Sequence, residues 1–174
     1  MAAEAASESG LARDPVIVRD LTPADSAALD SFDLGGQPSA WLDEVAEIVA
    51  GLARWRDDAE HAALDRCVAV AELDSGIVAV AAHERIEHET LGPLAEHRYV
   101  MVVAVRADHR RGGIATALLE SILTEMQLDG VRSASWLAHP ANLGSVAFSR
   151  TSFPDADETY PPDDRPYARF SLRL

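Results

Sequence analysis

The chain has 174 residues, and its 48% hydrophobic and 25% charged residues are typical of a globular protein with an ordinary core. Its formal net charge of −14 excludes the basic surface on which duplex binding depends, so we expect no nucleic-acid partner. The apolar runs are well short of 18 residues, which excludes a transmembrane helix and indicates no membrane partner.

Residues 1–14 are rich in Ala, Ser and Glu and lack the basic and apolar regions of a signal peptide, which favours a disordered tail and a cytoplasmic location. The remaining residues, 15–174, contain no repeat or linker, so we expect them to form one domain. The single cysteine, Cys67, lies in an apolar run and is expected to be a buried thiol.

Short strands and helices are predicted along the first half of the chain. Val16–Asp20 alternates as a strand, and Thr22–Asp25 supplies an N-cap, a proline and an acidic residue for a short helix. Apolar residues at helical spacing predict a longer helix after Ser39. An Asp-Ser-Gly turn joins two predicted strands, Arg66–Leu73 and a return strand from Ile77 to about Glu87.

The second half continues the alternation of strands and helices. The predicted elements are a strand at Arg98–Val105, a helix to about Leu128, a strand at Val131–Leu137, a helix at Leu143–Arg150 and a last strand at Tyr167–Leu174. The order β-α-α-β-β-β-α-β-α-β predicts a mixed α/β arrangement.

The segment 102–119 carries the most specific signal in the chain. A β-branched run ends in a polar turn, and a helix-favouring stretch begins on Gly112 and Gly113. A helix start exposes main-chain N–H groups with partial positive charge, and glycine lets an anion approach them closely. Arg110 and Arg111 add donors suited to phosphate. We call residues 110–113 the glycine turn and predict that it binds phosphate.

The spacing within the glycine turn excludes two common phosphate-binding loops. A Walker A loop needs a lysine, and the chain has none, while the G-x-G-x-x-G spacing of dinucleotide-binding folds is absent. The remaining pattern, Arg110-x-x-Gly113-x-Ala115, resembles the R/Q-x-x-G-x-G/A signature with which the GNAT superfamily of N-acetyltransferases holds the pyrophosphate of acetyl-CoA.

A second signature lies in the last predicted helix. Asn142, Ser145 and Phe148 match the first three anchors of the family's N-x-x-A-x-x-[LF]-Y pattern, whereas Ser149 stands where the family has tyrosine. The resemblance extends from Val16 to Leu174. It implies the GNAT fold, an α/β (α+β) fold with a mixed central sheet of about six to seven strands flanked by about four helices.

The resemblance implies a ternary complex in which an amine attacks the thioester of acetyl-CoA directly. A splay of the sheet beside the strand at 98–105 would free main-chain groups for the pantetheine arm and an N–H for the thioester carbonyl. The residues expected to contact the coenzyme are Val103, Ala104, Val105, Arg110, Arg111, Gly112, Gly113, Ile114, Ala115, Thr116, Asn142, Ser145 and Phe148.

An ammonium acceptor must lose a proton, so the reaction requires a base or a water chain. The glutamate of the histone-acetyltransferase branch corresponds to Tyr99 here, which departs from the family pattern. We favour His97, which shares the face of Tyr99 and titrates near neutrality, with Glu87 or Glu89 as alternatives. The six histidines show no pair at a ligand spacing, so we expect no metal.

Because Ser149 replaces the family's tyrosine, the group that protonates the departing thiolate is not fixed by the sequence, and three alternatives follow. Ser149 relays a proton through water, Tyr160 substitutes for it, or the protein binds acyl-CoA without catalysis. The leading hypothesis is an acetyl-CoA-dependent N-acetyltransferase for a primary amine of a small molecule or peptide, and the acidic charge suits a cationic acceptor. The alternative is a degenerate, non-catalytic acyl-CoA-binding regulatory module.

Two further expectations come from the family. Its members are often dimers, which leaves a homodimer open. Phe32–Gly35, followed by Trp41-Leu42, resembles the FDCG…WL segment of toxin-type acetyltransferases that modify aminoacyl-tRNA. The chain lacks the cysteine of that segment, and its acidic charge opposes RNA binding.

Overall fold

The alternating strands form one sheet, and the apolar stripes of the helices cover both of its faces. A computed structural model of the protein describes residues 15–36, 40–55, 65–85, 96–160 and 167–174. In chain order the elements are β1 (Ile17–Asp20), α1 (Ser26–Asp30), α2 (Ala40–Trp55), β2 (Cys67–Leu73), β3 (Gly76–Glu84), β4 (His97–Val105), α3 (Ile114–Leu128), β5 (Ser133–Ala138), α4 (Leu143–Ser152), β6 (Asp157–Thr159) and β7 (Ala168–Arg173).

The seven strands within the described residues form a single sheet in the order β1-β2-β3-β4-β5-β7-β6. Neighbouring strands are antiparallel, except that β4 and β5 are parallel. This mixed sheet with its helices confirms the predicted fold class. The short strand β6 was missed, because its three residues lie in a segment rich in Pro and Asp that reads as a loop.

The hydrophobic core is divided between the two faces of the sheet. On one side, which we call the α3–α4 face, an apolar stripe of α3 that includes Leu118 and Ile122 packs over Trp136 and Phe170. On the other side, the α2 face, Leu52 of α2 packs with Leu29 of α1 over Val80 and Val102. The buried residues of the strands are mostly alanine and valine. These small side chains let both layers of helices approach the sheet closely.

Local signals set the ends of the helices. After α3, Gly130 has a φ of +81°, and the N–H of Val131 donates to the carbonyl of Met126 at 2.9 Å, which confirms the predicted stop. Before α1, the N–H and hydroxyl of Thr22 donate to the Asp25 carboxylate at 2.7 and 2.8 Å. The predicted helix start is therefore present, although its first turn is a 3-10 turn.

The prediction of a buried Cys67 is wrong. This residue is the first of β2 and is exposed. Across the described ranges, no helix is both long and apolar enough to cross a membrane. No cluster of three or more His, Cys, Asp or Glu side chains suited to a metal occurs in the same ranges.

Candidate active site

The sheet opens between its two parallel strands. β4 and β5 pair over four residues, from His97 opposite Ser133 to Val100 opposite Trp136, and the pairing then stops. Beyond that point β4 continues to Val105 and β5 continues to Ala138. The expected splay is therefore present, and we call the space between the two unpaired strand ends the gap.

A β-bulge in β4 lies directly beside the gap. Ala82 pairs with Val102 and His83 pairs with Val100, so Met101 is the extra residue. The bulge reverses the side-chain alternation of β4. Val100 packs into the core on the α3–α4 face, whereas Val102 packs into the core on the α2 face.

Main-chain groups of Val103 and Val105 face the gap. The N–H of Arg106 donates to the carbonyl of Val78 in β3 at 2.9 Å. In an antiparallel register every second residue bonds to the neighbouring strand, so Ala104 also bonds to β3, and Val103 and Val105 direct their N–H and C=O groups away from it. Of the three residues expected to bind a coenzyme, Ala104 is thus turned away from the gap.

The glycine turn brings α3 into line with the gap. Gly113 is the N-cap of α3 with a φ of +81°, and the first bond within the helix runs from the N–H of Ala117 to its carbonyl. The preceding N–H groups have no partner inside the helix. A Cβ at Gly113 would meet no atom within 4 Å, and the first turn of α3 holds no acidic residue. An open, positively polarised helix start fits a phosphate ester.

The two arginines of the turn behave differently. Arg110 donates from Nε to the Val105 carbonyl at 3.1 Å and from Nη2 to the Leu34 carbonyl, so its guanidinium ties the segment after α1 to the end of β4. Arg111 has a φ of +63° and is exposed, and its side chain has no hydrogen-bond or ion-pair partner within the described ranges. Arg111 is therefore the side chain of the turn that can reach an anion in solution.

Other residues expected around the coenzyme have structural partners. Asn142 caps α4, accepting a hydrogen bond from the Ser145 N–H at 3.1 Å, and Phe148 contacts Phe153 edge-on at 5.8 Å between centroids. The Thr116 hydroxyl bonds to that of Ser152 at 3.1 Å, which joins the start of α3 to the end of α4. Of the remaining expected residues, Ile114 is buried in the core and Ala115 is partly buried.

Ser149 does not face the gap. Its side chain is fully buried, donates to the Ser145 carbonyl at 3.0 Å and accepts the indole N–H of Trp136 at 2.9 Å. Its hydroxyl proton is held by a main-chain carbonyl inside the core, which disfavours a role as the acid. Tyr160, the alternative, is 64% exposed and donates to Glu158 at 2.9 Å.

His97, the favoured base, lies away from the gap. It begins β4, six residues before Val103, and is 3% exposed. Its Nδ1 and Nε2 lie 2.8 and 3.1 Å from the hydroxyls of Ser133 and Ser135. The imidazole is thus held on the paired part of the sheet, about 20 Å along the strand from Val103. Glu87 and its alternative Glu89 lie outside the described residues.

Tyr99 lies on the α2 face just before the gap. It pairs with Glu84 of β3 and with Ser135 of β5, one residue before the last rung between β4 and β5. Burial raises the pKa of the Tyr99 hydroxyl above its ordinary value, and the positive charge of Arg169 partly opposes this shift. The phenol therefore keeps its proton near neutrality and is a hydrogen-bond donor, not a base.

The sequence analysis missed the polar residues that surround Tyr99. Glu84 is 8% exposed and paired with Arg66, which neutralises a carboxylate close to the gap. Tyr167 donates to Glu44 of α2 at 2.9 Å. The alternation of polar and apolar residues at 167–172 is visible in the sequence, but it does not reveal which strands and helices those polar side chains meet.

Comparison with known proteins agrees with this architecture. A family model described as the acetyltransferase (GNAT) family matches residues 28–153, more than half of the chain. No curated protein matches the sequence.

Three solved structures show the similarity in fold. The PaiA N-acetyltransferase from Thermoplasma acidophilum, in complex with coenzyme A, has a TM-score of 0.69 and 12% identity over 92% of this chain and 99% of that one. The GNAT domain of PAT from S. lividans has a TM-score of 0.68 and 21% identity over 90% and 89%. The ribosomal-protein-alanine N-acetyltransferase from Brucella melitensis has a TM-score of 0.65 and 18% identity over 91% and 98%.

Proposed function

Because this chain belongs to the GNAT acetyltransferase family, we propose that it is an acetyl-CoA-dependent N-acetyltransferase that acts on a primary amine of a small molecule or peptide. The observation that carries the proposal is the gap: β4 and β5 separate after Val100 and Trp136, and the glycine turn lies at the end of β4. We assign the catalytic domain to residues 15–174 and a tail to residues 1–14.

In this proposal the coenzyme is bound mainly by the main chain. The N–H groups at the start of α3, with the side chain of Arg111, hold the pyrophosphate. The main-chain groups of Val103 and the N–H of Val105 pair with the pantetheine arm as a neighbouring strand would. The carbonyl of Val105 is already taken by Arg110, so Val103 supplies the acceptor of this pairing.

The reaction balances as a direct transfer. The amine nitrogen attacks the acetyl carbon, a C–N bond forms, the C–S bond breaks, and the thiolate of CoA leaves and takes up a proton. The amine gives up one proton to a base or a water chain, for which Glu87 and Glu89 are the candidates. An N–H of β4 at the gap stabilises the oxygen on which negative charge develops. Tyr99 keeps its proton and acts as a donor beside the reacting groups.

Calorimetry with CoA and acetyl-CoA, combined with thiol release across a panel of amines, tests the proposal. We expect one-to-one binding and thiol release with at least one amine. Arg111→Ala is expected to weaken CoA binding about tenfold, which corresponds to about 1.4 kcal/mol. Arg173→Ala, at an exposed position near the end of β7, is the matched control and is expected to bind normally. A protein that binds neither CoA nor acetyl-CoA would contradict the proposal.

The second candidate is the non-catalytic acyl-CoA-binding module. One observation favours it: Ser149, at the position of the family's tyrosine, is buried and its hydroxyl is used by Trp136 and Ser145. A CoA thiol has a pKa of about 8.5, so its thiolate leaves tolerably without an acid. Thiol release above the buffer rate with any amine rules out this candidate, whereas CoA binding without release by any amine supports it.

A further inference from the structure

A cluster of polar side chains lies on the α2 face near the gap. It contains Glu44, Tyr167 and Arg169. In β7, Ala168 and Phe170 are buried in the core on the α3–α4 face, so Tyr167 and Arg169 point to the α2 face. The hydrogen bond from Tyr167 to Glu44 of α2, 2.9 Å long, agrees with this orientation. The cluster joins residues from the first and last parts of the chain.

Arg169 lies one strand away from the gap. It pairs with Leu137 of β5, the residue directly after Trp136, where the pairing between β4 and β5 ends. It lies one strand spacing, about 4.8 Å, from β5, and the gap begins on the other side of β5. The electrostatic influence of Arg169 on Tyr99 agrees with a guanidinium directed toward the gap.

Arg169 is partly buried and has no hydrogen-bond or ion-pair partner within the described ranges. On the same face, Glu44 of α2 accepts the hydrogen bond of Tyr167, which lies two residues before Arg169, and Glu84 of β3, three strands away, is paired with Arg66. A partly buried guanidinium without a counter-ion carries a desolvation cost, which an anionic ligand would offset. Among the described residues no group occupies the guanidinium of Arg169, so it is open to an anionic ligand.

We propose that Arg169 binds a carboxylate of the acceptor, so that the substrate is an amino acid whose amine reaches the gap while its carboxylate stays over β5 and β7. This inference rests on the proposed function. The planar guanidinium matches a carboxylate with two parallel hydrogen bonds. A singly charged carboxylate suits the site better than a phosphate dianion, because Glu44 lies on the same face and the chain has a net charge of −14.

The spacing agrees with an amino acid. The amine and carboxylate of a short amino acid, each with a hydrogen bond of about 3 Å, span the one to two strand spacings between the gap and Arg169. A general preference for cations, as the net charge alone indicates, would leave Arg169 without a role. The local charges instead favour a ligand with both signs.

The test measures binding and activity separately. Amino acids and their matched amides are titrated into CoA-saturated protein by calorimetry, and the same pairs are used with acetyl-CoA in thiol-release assays. We expect the carboxylate form to bind more tightly than the amide. Arg169→Gln is expected to weaken binding of the carboxylate form at least tenfold and to leave binding of the amide and of CoA unchanged.

Arg173→Gln is the matched control, because Arg173 lies on the same strand and the same face but four residues further from the gap. Its variant is expected to keep the preference for carboxylates. If Arg169→Gln does not fold, as judged by circular dichroism, Arg169→Lys keeps the charge and loses the planar fork. We expect a smaller but measurable loss for that variant.

The outcomes distinguish this inference from the proposed function. Carboxylate binding that depends on Arg169, without thiol release from any amine, supports the inference and contradicts the catalytic function. Thiol release in which amides serve as well as amino acids overturns the inference and leaves the enzyme standing. A preference for aminoalkyl phosphates over amino acids, or an equal loss of carboxylate and amide binding in Arg169→Gln, also overturns it.

Discussion

The two sides of the gap are built from different kinds of groups. On the side of α3, the binding groups are main-chain N–H groups presented by the glycine turn and by β4. On the side of α2, they are side chains brought together from α2, β4 and the last strand with the residue before it: Glu44, Tyr99, Tyr167 and Arg169. The first kind of site depends on a few neighbouring residues, whereas the second depends on which strands and helices meet.

The two sides are also in physical contact. The N–H of Ala107 donates to the Asp33 carbonyl at 3.0 Å, and Arg110 donates to the Leu34 carbonyl. Gly35 has a φ of +55°, and a Cβ there would lie 2.5 Å from the Cβ of Ala107. Residues 33–35 therefore rest directly on the glycine turn and the residues before it.

Gly35→Ala breaks this contact and has the largest expected effect. Overpacking against Ala107 together with a positive φ is expected to cost about 2–4 kcal/mol of unfolding free energy. Because Ala107 precedes the glycine turn, CoA affinity is expected to fall as well. Denaturant unfolding and calorimetry measure the two effects.

Gly36→Ala is the control for this experiment. Its φ is +92°, but a Cβ there would meet Leu42 at 3.5 Å, an ordinary contact. We expect a cost of about 1 kcal/mol and normal CoA affinity. A folded Gly35→Ala protein that binds CoA as well as Gly36→Ala does would show that the two sides are independent.

Ser149→Ala sharpens the comparison on the side of α4. Removal of the hydroxyl leaves the buried Trp136 N–H without its acceptor and is expected to cost about 1–3 kcal/mol of unfolding free energy. The rate of acetyl transfer is expected to stay within about threefold, whereas loss of a general acid costs about 10²–10⁴-fold. Thiol-release kinetics and thermal unfolding provide the two readouts.

Thr151→Ala is the matched control for Ser149→Ala. Thr151 bonds to the carbonyl of Ala147 four residues earlier in the same helix, but it is exposed. We expect the unfolding free energy of the Thr151→Ala protein to change by less than about 0.5 kcal/mol. A large rate loss in Ser149→Ala with little loss of stability would restore Ser149 as a catalytic residue.

Gly113→Ala tests the main-chain side of the gap and has the smallest expected effect. A methyl group would fill the open space at the start of α3, and CoA is expected to bind about tenfold more weakly, or about 1.4 kcal/mol. Gly130→Ala is the control, because Gly130 has the same φ of +81° and equally open space at the other end of α3. If the two variants bound CoA with equal affinity, the glycine turn would not be part of the CoA-binding site.

Local signals predicted the elements of the fold well. The start of α3 on glycine, its stop at Gly130 and the capping of α4 by Asn142 all depend on residues within one helical turn. The same reasoning missed β6, which is a strand only because β7 lies beside it. It also misplaced Cys67, because an apolar run does not show which of its residues lies at an exposed strand end.

The candidate catalytic residues were the weakest part of the sequence analysis. His97 was chosen because it shares a face with Tyr99 and titrates near neutrality, but both ring nitrogens are held by serines of β5. Ser149 was chosen by its position in a motif, but it lies in the core beneath Trp136. Neither partner strand nor burial can be read from spacing along the chain.

The sequence by itself determined the family, the mixed α/β fold and the glycine turn, because glycine conformation, helix capping and hydrophobic period are properties of neighbouring residues. Only the tertiary structure decided what faces the gap. The bulge at Met101 set which main-chain groups of β4 are free, and the strand order placed Arg169 on the same face as Tyr99, two strands away. Side-chain chemistry across a sheet requires contacts between residues far apart in the chain, and those contacts exist only after folding.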